Sequence, residues 1–305
     1  ILRFTGDPAL RLCEDPVRAL RFCRFASLYN MLPDPASCSA IRELSPGLPR
    51  AHRQRVGKEI LLCAQKGRLS QFLSLADDLD LPRGYCFFPG MREIGFTLVL
   101  ESLPPLDTLA CLEELERKKC DPGCSLGLFF MKDSGVFSGK YARDFISGYA
   151  WPKGLGKDIL QVSRFTVSLI ASPADRMLFE MIEKVDSLLR RDVFLLASVI
   201  LTEAGRDLQP LILSAKLLDR MEKNLLSSDL LLGGREIMEL FRLPPGREVG
   251  RIRQTIRFLV ASGEISSRED AIREIQALLD NQGRAPASQR GIPSERPKDQ
   301  SSSSP

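Results

Sequence analysis

Apolar residues recur at intervals of three and four along most of the chain, and strict alternation is rare, so the sequence predicts an all-α protein. The first helix is expected over 8–30, with Asp7 placed to cap it and Pro8 in its first turn. Leu10, Cys13, Val17, Leu20, Ser27 and Leu28 would form its inward stripe. Helices over 35–48, 51–65 and 68–79 follow, and the Pro-, Gly- and aromatic-rich stretch 81–90 reads as a joint. The pattern resumes at 92–103, 105–119 and 124–132, and crowded glycines predict a second joint over 133–157. Helices are then expected over 158–171, 173–190, 192–204, 208–226, 234–242, 247–262 and 267–280. From Asn281 the chain is polar and Pro/Gly-rich; it cannot bury enough apolar area to offset its ordering entropy, so 281–305 is expected to be a disordered tail.

The 305 residues suffice for two or three domains. A net charge of +4 changes little by itself, but residues 1–68 hold twelve Arg or Lys against six acids. That local excess suits a surface facing phosphates, or simply a solvated basic face. Eight irregularly spaced cysteines, mostly in apolar helical patterns, read as buried free thiols in a reducing, cytoplasmic compartment. Cys120 and Cys124 are a lone close pair and His52 is the sole histidine, so no metal site is expected. No apolar run reaches the ~18 residues that span a bilayer.

The most informative segment is GDPALRLCEDPVRALRFCR, residues 6–24. Asp15 and Arg18 are three apart, so on a helix they share a face and can touch. Arg18, Arg21 and Arg24 step along the same broad side, opposite the apolar stripe, which would present them to solvent. A carboxylate beside a guanidinium can take the exocyclic amine and ring acceptor of cytosine or adenine, and further arginines can take phosphate. The plain alternative is an exposed helix with a weak salt bridge. Pro16 inside this pattern predicts a first-turn or kink role.

With its GDP, R, EDP, R, R, R order, this segment resembles the signature of the class II tRNA nucleotidyltransferase and bacterial poly(A) polymerase family. The resemblance implies that Asp15 and Arg18 pair with incoming CTP or ATP and that Arg21 and Arg24 are further nucleotide contacts. Glu14 and Arg11 would support the helix. In RQRVGKEI, residues 53–60, Arg55 and Glu59 resemble the next family segment, which would brace it.

A second similarity lies at LLLGGREIMEL (230–240) and PGREVGRI (245–252), which look like the family's C-terminal RNA-binding region. Val249, Ile252, Ile256 and Leu259 would face inward while Arg247, Arg251, Arg253 and Arg257 project to bind RNA. Gly246 and Gly250 would allow close backbone approach at a helix N-terminus. The alternative is a helix contact with solvated arginines. The resemblance implies a multi-helical neck (1–65), body (66–150) and tail (151–280), with tRNA, CTP and ATP as partners. The family's catalytic α/β head, with its Gly-Gly turn, Asp-x-Asp ligands and Mg²⁺, is absent; Asp78-Leu79-Asp80 has the spacing without the context and reads as surface loop. With Ile as first residue, the sequence is expected to be an N-terminally truncated piece, inactive alone. A poly(A)-adding relative and a head-less helical RNA-binding protein are the alternatives.

Overall fold

The computed structural model describes residues 1–44, 52–81, 97–98, 100, 103–132, 135–136, 139–226 and 232–280. Most of the joint at 81–90, much of the helix at 92–103, Cys86, Leu230, Leu231 and the tail 281–305 lie outside the described residues. Fifteen α-helices and two very short antiparallel strand pairs make up the described structure.

The predicted helix over 8–30 is two helices, α1 (Pro8–Glu14) and α2 (Val17–Tyr29), because Asp15 is extended at φ −152° and Pro16 opens a new helix. The break resets the helical phase. Leu10 and Cys13 therefore turn outward, and Leu12 is fully buried in their place. Then come α3 (Pro35–Leu44), α4 (Arg53–Gln65) and α5 (Leu69–Asp78). A strand pair, β1 (Thr97–Leu98) with β2 (Leu106–Asp107), replaces part of the helix expected over 92–103. α6 (Thr108–Arg117) and α7 (Pro122–Gly127) follow, and a 3-10 turn leads into β3 (Met131–Lys132), paired with β4 (Gly135–Val136). The glycine-rich joint contains a helix, α8 (Gly139–Gly148), whose two glycines stand at its ends, where they cost the helix little.

The next helices are α9 (Lys153–Ala171), α10 (Asp175–Lys184), α11 (Ser187–Glu203) and α12 (Gln209–Leu226). The single helix expected over 173–190 stops at Val185, and α11 restarts with Asp186 as its cap, accepting from the Leu189 N–H at 2.9 Å. α13 (Gly234–Phe241), α14 (Arg247–Ser262) and α15 (Arg268–Asp280) complete the chain.

The molecule folds as two compact units, Ile1–Asp219 and Arg220–Pro305. In the first, α2 packs on α4 and α5, while α9 lies between α7 and α11. Gly127 permits that approach: a Cβ there would sit 3.2 Å from Val162 Cγ1, and its carbonyl accepts from Ser163 Oγ at 2.7 Å. Phe72, Phe130, Phe165 and Phe179 are fully buried in this unit, and truncating one would cost about 3–5 kcal/mol. The second unit closes α13, α14 and α15 around Ile237, Val249, Ile252, Ile256, Ala271 and Ile275. Gly263, at φ 85°, ends α14 in the left-handed conformation that glycine adopts without strain. No helix among the described residues is long and apolar enough to cross a membrane.

Candidate functional site

The EDP-containing segment sits at the α1–α2 junction. Asp7 caps α1, its carboxylate accepting the Ala9 N–H at 2.8 Å, and Pro8 fills the first turn. At the far end Asp15 leaves the helix. Its Oδ1 accepts the Val17 N–H at 3.2 Å, which puts a carboxylate on the positive end of α2. Pro16 fits here because a helix's first N–H groups have no intrahelical acceptor to lose.

Since Asp15 is outside a continuous helix, the three-residue arithmetic that joined it to Arg18 does not apply. Their side chains do not pair. Asp15 Oδ2 instead accepts from Arg55 Nη2 on α4 at 2.6 Å, with Arg21 Nη1 at 3.9 Å. Arg18 directs Nη1 to Glu14 Oε2 at 2.5 Å and to the Arg11 carbonyl at 3.0 Å. Glu14 also takes Arg11 at 3.0 Å, and Arg11 holds the Thr5 carbonyl at 3.1 Å through Nε. Arg18 Nε and Nη2 thus have no partner among the described residues, and the side chain is 32% exposed.

Deeper along the α2–α4 interface, Glu59 accepts from Arg21 Nε at 3.3 Å and Arg24 Nε at 2.5 Å. The Glu59 side chain is only 4% exposed and that of Arg24 14%. Arg24 is therefore not presented to solvent as the helical wheel implied; it is folded under, with its guanidinium 4.1 Å from the centre of the Phe25 ring. Arg21 stays half-exposed between the two carboxylates.

The electrostatics follow from this pairing. Burial works to raise the Asp15 pKa, but the hydrogen bonds from Arg55 and Val17 and the nearby cations outweigh it and hold the carboxyl below its ordinary value. Arg55 is raised by the same bond. Hydrogen bonds from Arg18 and then Arg11 lower Glu14.

α4 is held from behind by residues that sequence reasoning passed over. Gly57 lies so close to the segment after α8 that an added Cβ would be 2.5 Å from Tyr149 Cβ. The Trp151 indole N–H donates to the Gly57 carbonyl at 2.8 Å, and the Tyr149 and Trp151 rings stack 4.6 Å apart. The available signals were a glycine inside a helical pattern and the chain's single tryptophan.

The second candidate region is α14. Val249, Ile252 and Ile256 are buried while Arg247, Arg251 and Arg253 are exposed; Arg257 is half-buried and engaged. At about 100° per residue the four arginines span an arc of roughly 160° away from the core. The close approach expected of Gly246 and Gly250 is not realised within the protein: an added Cβ at either meets open space. The free thiols are not uniformly buried either, Cys13 being exposed where α1 turns outward. Among the described residues no group of three His, Cys, Asp or Glu could hold a metal ion. Asp78 ends α5 and Asp80 adopts φ 57° two residues on, so this pair forms a helix-end turn.

No family profile matches the chain. It is 27% identical over 159 residues to the mitochondrial CCA tRNA nucleotidyltransferase 1 of Danio rerio, covering 48% of this chain and 36% of that protein. It is 42% identical over 67 residues to poly(A) polymerase I of Haemophilus influenzae, covering 22% of this chain and 15% of that one. Among solved structures it resembles the Bacillus stearothermophilus CCA-adding enzyme in complex with CTP, at a TM-score of 0.63 and 16% identity over 92% of this chain and 66% of that one. The Thermotoga maritima CCA-adding enzyme complexed with tRNA-CCA follows at 0.53 and 16%, over 89% of this chain and 63% of that one. The structural likenesses show a shared, largely helical fold. The chain's sequence relatives and structural neighbours fall in the family of CCA-adding enzymes and poly(A) polymerases. Its matches span 36% and 15% of the length of the two sequence relatives.

Proposed function

We propose that this chain is the neck, body and tail of a tRNA nucleotidyltransferase that adds C, A or both to tRNA 3′ ends. In this reading residues 1–65 choose the incoming base and the four arginines of α14 grip RNA. The observation that supports it most is Arg18. Its guanidinium is anchored through one nitrogen, has two donor positions without partners among the described residues, and stands near a carboxylate that Arg55 holds ionised. Arg18 Nε and Nη2 then donate to the acceptors of cytosine or adenine, while Asp15 takes the exocyclic amine. The pairing seen at Glu59 sharpens the division of labour: Arg21 and Arg24 already serve that carboxylate, so their contribution is to fix α2 as well as to meet nucleotide.

Among the described residues none are grouped to hold a catalytic metal pair. Joining a nucleotide needs a catalytic head, and the described chain alone is expected to be inactive. The match to poly(A) polymerase I favours a second reading, addition of A alone, with the same site selecting ATP.

The test joins the chain to a nucleotidyltransferase head. Arg18→Ala should lower CTP and ATP incorporation by about tenfold or more while leaving tRNA affinity nearly unchanged. Unchanged incorporation overturns the assignment. Replacing Arg251 and Arg253 should weaken tRNA binding and flatten its salt dependence by about one unit of slope for each phosphate interaction removed. A slope that does not move places the RNA-binding face elsewhere.

A further inference from the structure

A cleft of about 350 Å³ opens where α8 meets the start of α9. Its floor is apolar, made by Ile146, Trp151, Pro152 and Leu160. Its rim is cationic: Arg143 from α8 and Lys153 and Lys157 from α9 border it, all three exposed. Among the described residues no carboxylate lines it and none of the three cations has an ion-pair partner. The neighbouring Asp158 rests its Cβ against Gly123 of α7; Lys157 acts on its carboxyl electrostatically, but Asp158 does not border the cleft. Three positive charges around one apolar hollow attract an anion.

The backbone reinforces this charge. The first intrahelical bond of α9 runs from the Gly156 N–H to the Pro152 carbonyl at 3.2 Å, which leaves the N–H groups before it without an acceptor in the helix. Those donors and the positive helix end lie at the same edge as Lys153. Gly156 also keeps the hollow narrow and shaped, since an added Cβ would approach Ile146 Cγ2 to 2.9 Å. The space lies at the small end of the ~300–1,000 Å³ usual for small-molecule sites. It admits one nucleotide-sized ligand and no helix or duplex.

We propose that this cleft binds a phosphorylated aromatic ligand of nucleoside-monophosphate size. The ring lies against Ile146, Pro152, Leu160 and Trp151, and the phosphate is held by Arg143, Lys153, Lys157 and the α9 N-terminus. An apolar floor alone would take any greasy ligand, and the lysines alone any anion. Their juxtaposition selects a molecule that carries both features on one scaffold. The same chemistry occurs in a free nucleotide and in a single unstacked nucleotide of an RNA strand. This site is separate from the α1–α2 junction and does not depend on the function proposed for it.

Trp151 is the only tryptophan of the chain, and its indole is fixed by the Gly57 carbonyl, so its emission reports on this cleft. The experiment titrates the chain carrying Arg18→Ala, which disables the junction site, with AMP, adenosine, inorganic phosphate and a short oligoadenylate. AMP should change Trp151 emission saturably and bind at least about tenfold more tightly than adenosine or phosphate alone, with salt weakening it. Lys153→Ala with Lys157→Ala, both exposed and without an ion pair among the described residues, should fold normally by circular dichroism and lose about tenfold or more in AMP affinity. Oligoadenylate binding more tightly than AMP identifies a strand nucleotide as the occupant, and weaker binding identifies a free one. No emission change with millimolar AMP, equal affinity for adenosine and AMP, or unaltered binding in the double lysine variant overturns the proposal.

Discussion

Two buried carboxylates of the same unit live in opposite circumstances. Glu59, 3% exposed, lies between α2 and α4 and accepts from two arginines. Asp192, 6% exposed, lies on α11 beside α7, and its Oδ2 has no hydrogen-bond partner among the described residues. Desolvation, with the negative charges of Asp121 and Asp186, pushes the Asp192 carboxyl up to about 6 against one opposing cation, Arg191. Both groups incur the cost of leaving water, and only Glu59 recovers it. The contrast shows where the fold has placed its compensation: between α2 and α4, where ion pairs position arginines of the candidate site. The two carboxylates should therefore answer mutation with opposite signs.

The largest effect should come from Glu59→Ala. It strands Arg24, 14% exposed, without a carboxylate, and losing one partner of a buried pair costs about 3–5 kcal/mol. Urea denaturation measures this directly. A loss below about 1 kcal/mol would mean that Arg24 escapes to water and that Glu59 is not what holds α2.

Next comes Gly57→Ala, which tests the support behind the same helix. The new methyl would overlap Tyr149 and push α4 away from Trp151, an overpacking cost of about 3 kcal/mol. The loss should appear in stability and also as a shift in Trp151 emission. A neutral substitution would show that Tyr149 has room to move.

What is legible in the sequence and what is not divides along a simple line. Local features are readable: the Asp7 cap, the Pro8 first turn and the α14 stripe of Val249, Ile252 and Ile256 depend only on near neighbours along the chain. The partner of Asp15 is not. It sits forty positions away on α4, and a helical wheel assigns Asp15 to Arg18 because it assumes an unbroken helix. The same assumption puts Leu10 and Cys13 inside and Arg24 outside. One proline, read as a kink or first turn, reorganises the register of everything before it. Asp192 gives no signal at all, since it sits in an ordinary apolar helical pattern and its isolation depends on what α7 brings against it.

Asp192→Asn should act in the other direction. An acid whose folded pKa is raised from 3.8 to about 6 favours the protonated form in the fold, so its charge destabilises at neutral pH. Removing the charge should raise stability by on the order of 2 kcal/mol at pH 8. The advantage should shrink as pH falls through 6 and vanish below 3.8, where the wild-type carboxyl is protonated in both states. A gain that is flat with pH would assign it to packing instead of charge.

The smallest effect should be that of Arg55→Ala, which leaves Asp15 with Arg21 Nη1 at 3.9 Å and opens no buried hole. Arg55 is 45% exposed, so solvent screening keeps the stability loss below about 1 kcal/mol. Its sign with pH is the reverse of that at Asp192. Asp15 is held below its ordinary 3.8, so its contribution is fully present above that value and is lost as pH falls through the lower, folded pKa. The variant should therefore match wild type at acid pH and fall behind it near neutrality, and its Asp15 carboxyl should titrate higher by NMR. Val17 still donates to Oδ1, so the carboxyl should not return fully to its ordinary value. If it does not move at all, the helix end and Arg21, and not Arg55, keep Asp15 ionised beside Arg18.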